Sequence, residues 1–253
     1  MSVVRLEEIY YGLAGDTKPA TASDGAIYIA RDTGGMWQRQ DGAWWGLNPA
    51  SGKWLYIPVN AGLTTAVVDS GTAATNGSMT FRLSTGANAS SSARAQTLIA
   101  SLSTSGEDQQ VDFTKRMRIQ FQITRVTTVA NAVARLWLGD LLPTGAATDK
   151  TLGIYIANLT LSGQAYGSAE ATVDLTTTMT TSISYRIDIF FDPNVPRIQW
   201  FVNGVLKGTQ TTAANIPTAQ SGNCSFQAGV INGATATNAI FDFGNIHIWQ
   251  ENP

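Results

Sequence analysis

Residues 185–209 read YRIDIFFDPNVPRIQWFVNGVLKGT, and this stretch decides the fold. Tyr185, Ile187, Ile189 and Phe191 fall on one face of an extended segment, with Arg186, Asp188 and Phe190 on the other. That period of two predicts a strand. Asp192-Pro193-Asn194 predicts a turn, because proline fixes φ and Asx side chains bond back to the main chain. Ile198, Trp200 and Val202 share one face of a second strand. Asn203-Gly204 is the strongest short hairpin signal, since both residue types tolerate positive φ. Residues 205–209 return as a third strand.

The same reading extends outward. Residues 117–124 (MRIQFQIT) alternate without a break, so one face is buried and the other wet. Strands are expected at 133–138, 152–157, 171–175, 225–230 and 239–250. Residues 79–83 alternate more weakly, 87–95 (ANASSSARA) read as a loop, and 96–103 begin another sheet segment. Near the start, 6–11 fit a turn of helix or a short strand, and 26–30, 36–39, 44–45 and 54–57 form a meander with turns at 32–35 and Asp41-Gly42. Ten or more strands with short turns predict a β-sandwich or jelly roll. Two units are expected: a small Trp-rich meander over 1–60 and a sandwich over 61–253.

Composition narrows the function. Of the 253 residues 43% are hydrophobic, enough for a sizeable core, and only 13% are charged, about half the usual 25%. The net charge of −2 offers no basic excess to hold nucleic acid. No apolar stretch is long enough to cross a membrane. The N-terminal MSVVRLEEIYYGLAG carries acids and no sustained apolar core, so synthesis in a cytoplasm without a secretory signal is expected. A single cysteine, Cys224, forms no intrachain disulfide and is expected inside a strand.

Two resemblances follow. The run YRIDIFFD, then IQWFVNGVLKGT, then the late strand AIFDFGNIHIWQ (239–250) resembles the concanavalin A-like or laminin G-like sandwich over residues 65–253. The stretch GAIYIARDTGGMWQRQDGAW (25–44) is similar to short modules of bacteriophage head-fibre and tail-fibre proteins. Together they imply an all-β protein: a small N-terminal β-meander module followed by a concanavalin A-like jelly-roll sandwich. They further imply a non-enzymatic component of the virion surface, a decoration, head fibre or tail fibre. Its partners would be other virion proteins, further copies of itself in a homo-oligomer such as a trimer, and host-surface glycans. A lectin-like carbohydrate-binding module is the alternative, and a polysaccharide depolymerase the less favoured one.

Some enzymes of the sandwich family carry closely spaced acids in the pattern E-x-D-x-x-E, and this chain has none. Glu107-Asp108 are adjacent and point to opposite sides of an extended chain, and Glu170 with Asp188 is a remote pairing. His247, the one histidine, alternates with Ile246 and Ile248 and lacks a G-x-S-x-G elbow. No catalytic residue, cofactor or metal site is therefore assigned. Ca²⁺ is kept only as a lesser possibility, through Asp140, Asp149, Asp192 and Asn194 in predicted loops. The aromatic residues are the better candidates, because flat rings stack on the apolar faces of sugars. Trp137, Tyr155 and Tyr166 are expected to bind ligand. Tyr10, Tyr11, Trp37, Trp44, Trp45 and Trp54 are expected at an attachment or oligomer interface. In particular, one ring of Trp44-Trp45 must face each way, leaving one exposed or at an interface.

Overall fold

A computed structural model describes residues 8–47, 53–57, 64–68, 71–75, 80–86, 92–98, 112–127, 132–139, 150–218, 225–232 and 238–251. Among these residues the regular structure is all strand apart from one 3₁₀ turn, Ala213–Asn215. No helix among them is long and apolar enough to cross a membrane. The chain divides into two compact units, Met1–Leu55 with Ile248–Pro253, and Tyr56–His247. The division falls earlier than the expected boundary at residue 60, and it returns the C-terminal residues to the first unit.

The first unit holds a four-stranded sheet in the order β1 (Ile9–Gly12), β2 (Ile27–Ala30), β3 (Met36–Gln40), β4 (Ala43–Gly46). The stretch at 6–11, open between helix and strand, is a strand, and β1 runs parallel to β2. Asp41 and Gly42, both at positive φ, turn β3 into β4. One face of this sheet packs Tyr28, Trp37 and Trp44 against Ala22, Ala26 and Ala30, with Tyr10 and Ala14 at the edge. The rings meet edge to face: Tyr28 lies 5.8 Å from Trp37 and 6.1 Å from Trp44, and Tyr10 lies 6.2 Å from Trp44. Large rings opposite alanines let a small unit bury much area over few residues.

Against the expectation that one ring of Trp44-Trp45 is exposed or at an interface, both are buried within the chain itself. Trp44 enters the aromatic core, and Trp45, on the opposite face, packs edge to face against Trp249 at 6.4 Å. The chain's own last strand supplies the cover that another copy was expected to give.

The second unit is built on two sheets. The seven-stranded sheet has the order β14 (Glu170–Thr178), β13 (Thr160–Tyr166), β12 (Thr151–Ala157), β11 (Val133–Gly139), β18 (Ser225–Ile231), β9 (Ser92–Leu98), β6 (Thr64–Val68). The eight-stranded sheet has the order β17 (Val205–Gln210), β16 (Arg197–Val202), β15 (Ser184–Asp192), β10 (Met117–Arg125), β19 (Ile240–Gln250), β8 (Thr80–Ser84), β7 (Thr72–Thr75), with β5 (Lys53–Ile57) also paired to β19. The opening meander is therefore one edge of the larger sheet, β15-β16-β17, and Asn203 and Gly204 both take positive φ at its hairpin. Residues 92–95, read as loop, belong to β9, because that strand pairs along its length with β18.

The sequence reading passed over β13. It follows β12 through Asn158 and Leu159, both at positive φ, and a leucine in that conformation is not a turn signal. Ile119, Phe121, Ile187 and Ile189 of the larger sheet face inward, as do Leu136, Ile154 and Leu161 of the smaller.

Trp200 joins the two sheets. It is fully buried, and its Nε1–H donates to the Gly153 carbonyl at 2.9 Å. A Cβ added at Gly163 would lie 2.5 Å from Trp200 Cδ2 and Cε2, so the indole rests on bare main chain of β13. Gly163→Ala is expected to cost roughly 1–3 kcal/mol by overpacking. The cost should shrink in a Trp200→Phe background, where the benzo ring no longer lies over residue 163. Urea unfolding of the two single variants and the double variant measures the coupling. Additive costs would mean that the contact does not govern the site.

Candidate functional site

Strand register shows which side chains share the outer face of the seven-stranded sheet, away from the core. One transverse row is Gln227, Trp137, Gly153, Gln164, Thr172. The row on one side is Gly139, Thr151, Tyr166, Glu170, and on the other Gly229, Arg135, Tyr155, Ser162, Asp174. Trp137, Tyr155 and Tyr166 thus lie on one face, within three adjacent strands.

Trp137 is only 1% exposed. It does not present an open ring face, as a stacking platform would need, and belongs instead to the floor of this surface. Tyr155 and Tyr166 are half-buried and form its rim. The Arg135 guanidinium lies 4.9 Å from the Tyr155 ring centroid and 5.9 Å from that of Trp137, within cation–π range. Burial lowers the Arg135 pKa from its ordinary value, against the smaller opposing pull of Tyr155 and Glu170.

Sequence reasoning missed the polar floor. Thr151 is 0% and Gln164 2% exposed, and neither Thr151 Oγ1 nor Gln164 Oε1 has a hydrogen-bond partner among the described residues. The Gln164 amide donates through Nε2 to Glu170 Oε1, which turns Oε1 away from that carboxylate. Gln227, also buried, donates to the Gly139 carbonyl at 3.5 Å. Buried polar atoms are almost always satisfied, so these two oxygens on one face stand out among the described residues. The signal in sequence was faint: Thr and Gln within apolar strands, legible only once register aligns them.

The outer face of the other sheet differs. Asp188 is buried between Arg118 Nη2 at 2.8 Å and Arg186 Nε at 2.9 Å. Arg82 grips Asp242 through two bonds of 2.7 and 2.8 Å. Glu170 and Asp188 therefore stand on opposite outer faces of the sandwich and cannot flank one glycosidic bond, which needs carboxyls within roughly 10 Å. Glu170 and Asp174 share a face, but four residues along a strand separate them by about 13 Å.

Of the Ca²⁺ candidates, Asp192 ends β15 instead of lying in a loop. Its Oδ1 accepts from the Asn194 and Val195 amides, and Oδ2 lies 3.4 Å from Arg116 Nε. Asp140 and Asp149 lie outside the described residues, as do Glu107, Asp108 and Cys224. Among the described residues no three His, Cys, Asp or Glu side chains converge as a metal site would require.

Of the interface candidates, Tyr10, Trp37, Trp44 and Trp45 pack inside the first unit. Tyr11 is exposed. Trp54 lies on β5, and its side chain is outside the described residues.

No protein-family model matches the chain, and no curated protein matches it in sequence. Solved structures do share its fold. The carbohydrate recognition domain of Emp47p superposes with a TM-score of 0.53 at 13% identity, covering 79% of this chain and 95% of that one. A sialidase gives a TM-score of 0.50 at 9% identity over 88% of this chain, which spans 22% of the sialidase's length. A Bacillus licheniformis beta-glucanase gives 0.49 at 16% identity, covering 80% of this chain and 100% of that one. The second unit is thus a concanavalin A-like sandwich. At these identities the likeness speaks to fold alone.

His247 is held below its ordinary pKa of 6.5 by burial. The folded state favours the neutral ring, so the contribution of His247 to stability is flat above pH 6.5 and falls as acidification protonates the unfolded chain first. His247→Gln should therefore narrow the stability gap between pH 7.5 and pH 5.5, measured as urea midpoints. An unchanged gap would refute the assignment.

Proposed function

We propose that the protein is a non-enzymatic glycan-binding component of a bacteriophage surface, and that sugar seats on the outer face of the seven-stranded sheet. The observation that carries this reading is the convergence on that face of Tyr155 and Tyr166 with the orphan acceptors Thr151 Oγ1 and Gln164 Oε1. A saccharide offers apolar ring faces to aromatic side chains and hydroxyl donors to unfilled acceptors, so it satisfies both kinds of group at once. Neutral acceptors suit a neutral sugar, and Arg135 at the rim suits a carboxylate or sulfate substituent on a neighbouring one.

A binding role without catalysis is favoured by the positions of Glu170, Asp174 and Asp188, since Glu170 flanks one glycosidic bond with neither of the other two. The fold's occurrence in a carbohydrate recognition domain agrees with this use. Placement on a virion rests on the likeness of residues 25–44 to phage-fibre modules. Weak single sites would then gain from copy number on the particle.

Binding of the full chain to arrayed host polysaccharides tests the site. Tyr155→Ala and Gln164→Ala are each expected to weaken binding about tenfold, equivalent to roughly 1.4 kcal/mol. Phe201→Ala, on the other sheet, should leave it unchanged. Loss in all three variants, or in none, would refute the assignment, and release of reducing ends would make the protein an enzyme. Immuno-electron microscopy of purified particles tests the location, with labelling of the particle surface as the expected result and unlabelled particles as the contrary one.

A further inference from the structure

The four-stranded sheet of the first unit has a second face, opposite its aromatic core. Register places Ile9 and Tyr11 of β1 beside Ile27 and Ile29 of β2, followed by Met36 and Gln38 of β3 and then Trp45 of β4. Trp249 covers this face at Trp45. At the other end Ile9 and Leu13 are each 54% exposed and Tyr11 56%. Ile9 and Tyr11 are the two large apolar side chains that the edge strand turns to this face, Leu13 follows just past its end, and residues 9–13 include no lysine or proline. The Arg31 guanidinium lies 5.3 Å from the Tyr11 ring centroid and sets one cation against this edge.

The main chain of β1 is equally specific. Glu8 and Gly12 carbonyls accept from Ile27 and Arg31 amides at 2.8 and 2.9 Å. Even-numbered residues of this parallel pair therefore turn their main-chain groups toward β2. Odd-numbered residues turn theirs outward, beyond the last strand of the sheet. Leu13 is already satisfied, its N–H donating to Asp16 Oδ2 at 2.7 Å and its carbonyl accepting from Tyr28 Oη at 2.8 Å. Among the described residues of the strand, Ile9 and Tyr11 keep outward N–H and C=O groups.

We propose that β1 pairs antiparallel with β1 of a second copy, about a two-fold axis at Tyr10. This register sets Ile9 opposite Tyr11 of the second copy, and the reverse. Each such pair exchanges two hydrogen bonds, so the outward groups of Ile9 and Tyr11 are all used. The same register keeps Ile9 and Tyr11 of both copies on one face, as a two-fold normal to the sheet requires. It sets Glu8 opposite Gly12, so no like charges meet. The result is a continuous eight-stranded sheet across two chains.

Half-exposed side chains of this size each contribute on the order of 100 Å². Ile9 and Tyr11 of the two copies together therefore bury roughly 400 Å², well below the ~1,600 Å² of a standard stable interface. The pairing is accordingly weak, with a Kd on the order of 100 μM or above.

Sedimentation equilibrium of the full chain up to millimolar concentration should show a monomer–dimer equilibrium. Tyr11→Glu should weaken it at least about tenfold while leaving the circular dichroism spectrum unchanged. A strict monomer or a trimer would overturn the proposal. The register is tested in a Cys224→Ser background. Ile9→Cys chains mixed with Tyr11→Cys chains should oxidise to a covalent dimer carrying one of each, far more than either variant alone. Equal crosslinking in all three samples would also overturn it.

Discussion

The sandwich depends on one side chain crossing between its layers. Trp200 lies on β16 of the larger sheet, yet its ring rests on Gly163 and its N–H ends on the Gly153 carbonyl of the smaller. An indole is too large for the space between facing residues of ordinary size, and the glycine opposite removes the obstacle. Gly208, beside Trp200 on β17, is less constrained: a Cβ there would lie 2.6 Å from the Leu175 Cδ2 methyl, at the end of a side chain that can shift. Once Trp200 is seated, the registers of β12, β13, β16 and β17 are all fixed. A one-residue slip of any of them would put a side chain where only main chain fits.

That fixed register sets the character of the two outer faces. On the larger sheet, Arg82 pairs with Asp242, and Arg118 and Arg186 both pair with Asp188. Paired charges dominate that surface. On the smaller sheet, aromatic rings and amides share the rows, and Thr151 and Gln164 keep acceptors unfilled at depth. Desolvated acceptors cost stability, and the proposed sugar site rests on these two.

The first unit reaches compactness by another route. Its core sets three rings against alanines, and Lys18 Nζ lies 4.0 Å from the Trp37 centroid and 5.0 Å from that of Tyr28. The cation thereby supports the rings without displacing them. A four-stranded sheet has two faces, and only one is filled by this core. Trp249 covers the other at Trp45, and at β1 it is left open.

The sequence alone determined the secondary structure class and most strand positions, because alternation over segments such as 117–124 and 185–191 has no other economical reading. It also brought out Trp137, Tyr155 and Tyr166 as a set, since aromatic residues in strands are conspicuous. It could not determine which strands neighbour one another, and the rest turned on that. Trp137 is floor because of what lies on the strands beside it, and Trp45 is covered because residue 249 returns to it. Thr151 and Gln164 became a pair through the β12–β13 register. Exposure and hydrogen-bond satisfaction are properties of neighbours distant in the chain, and only tertiary pairing supplies those neighbours.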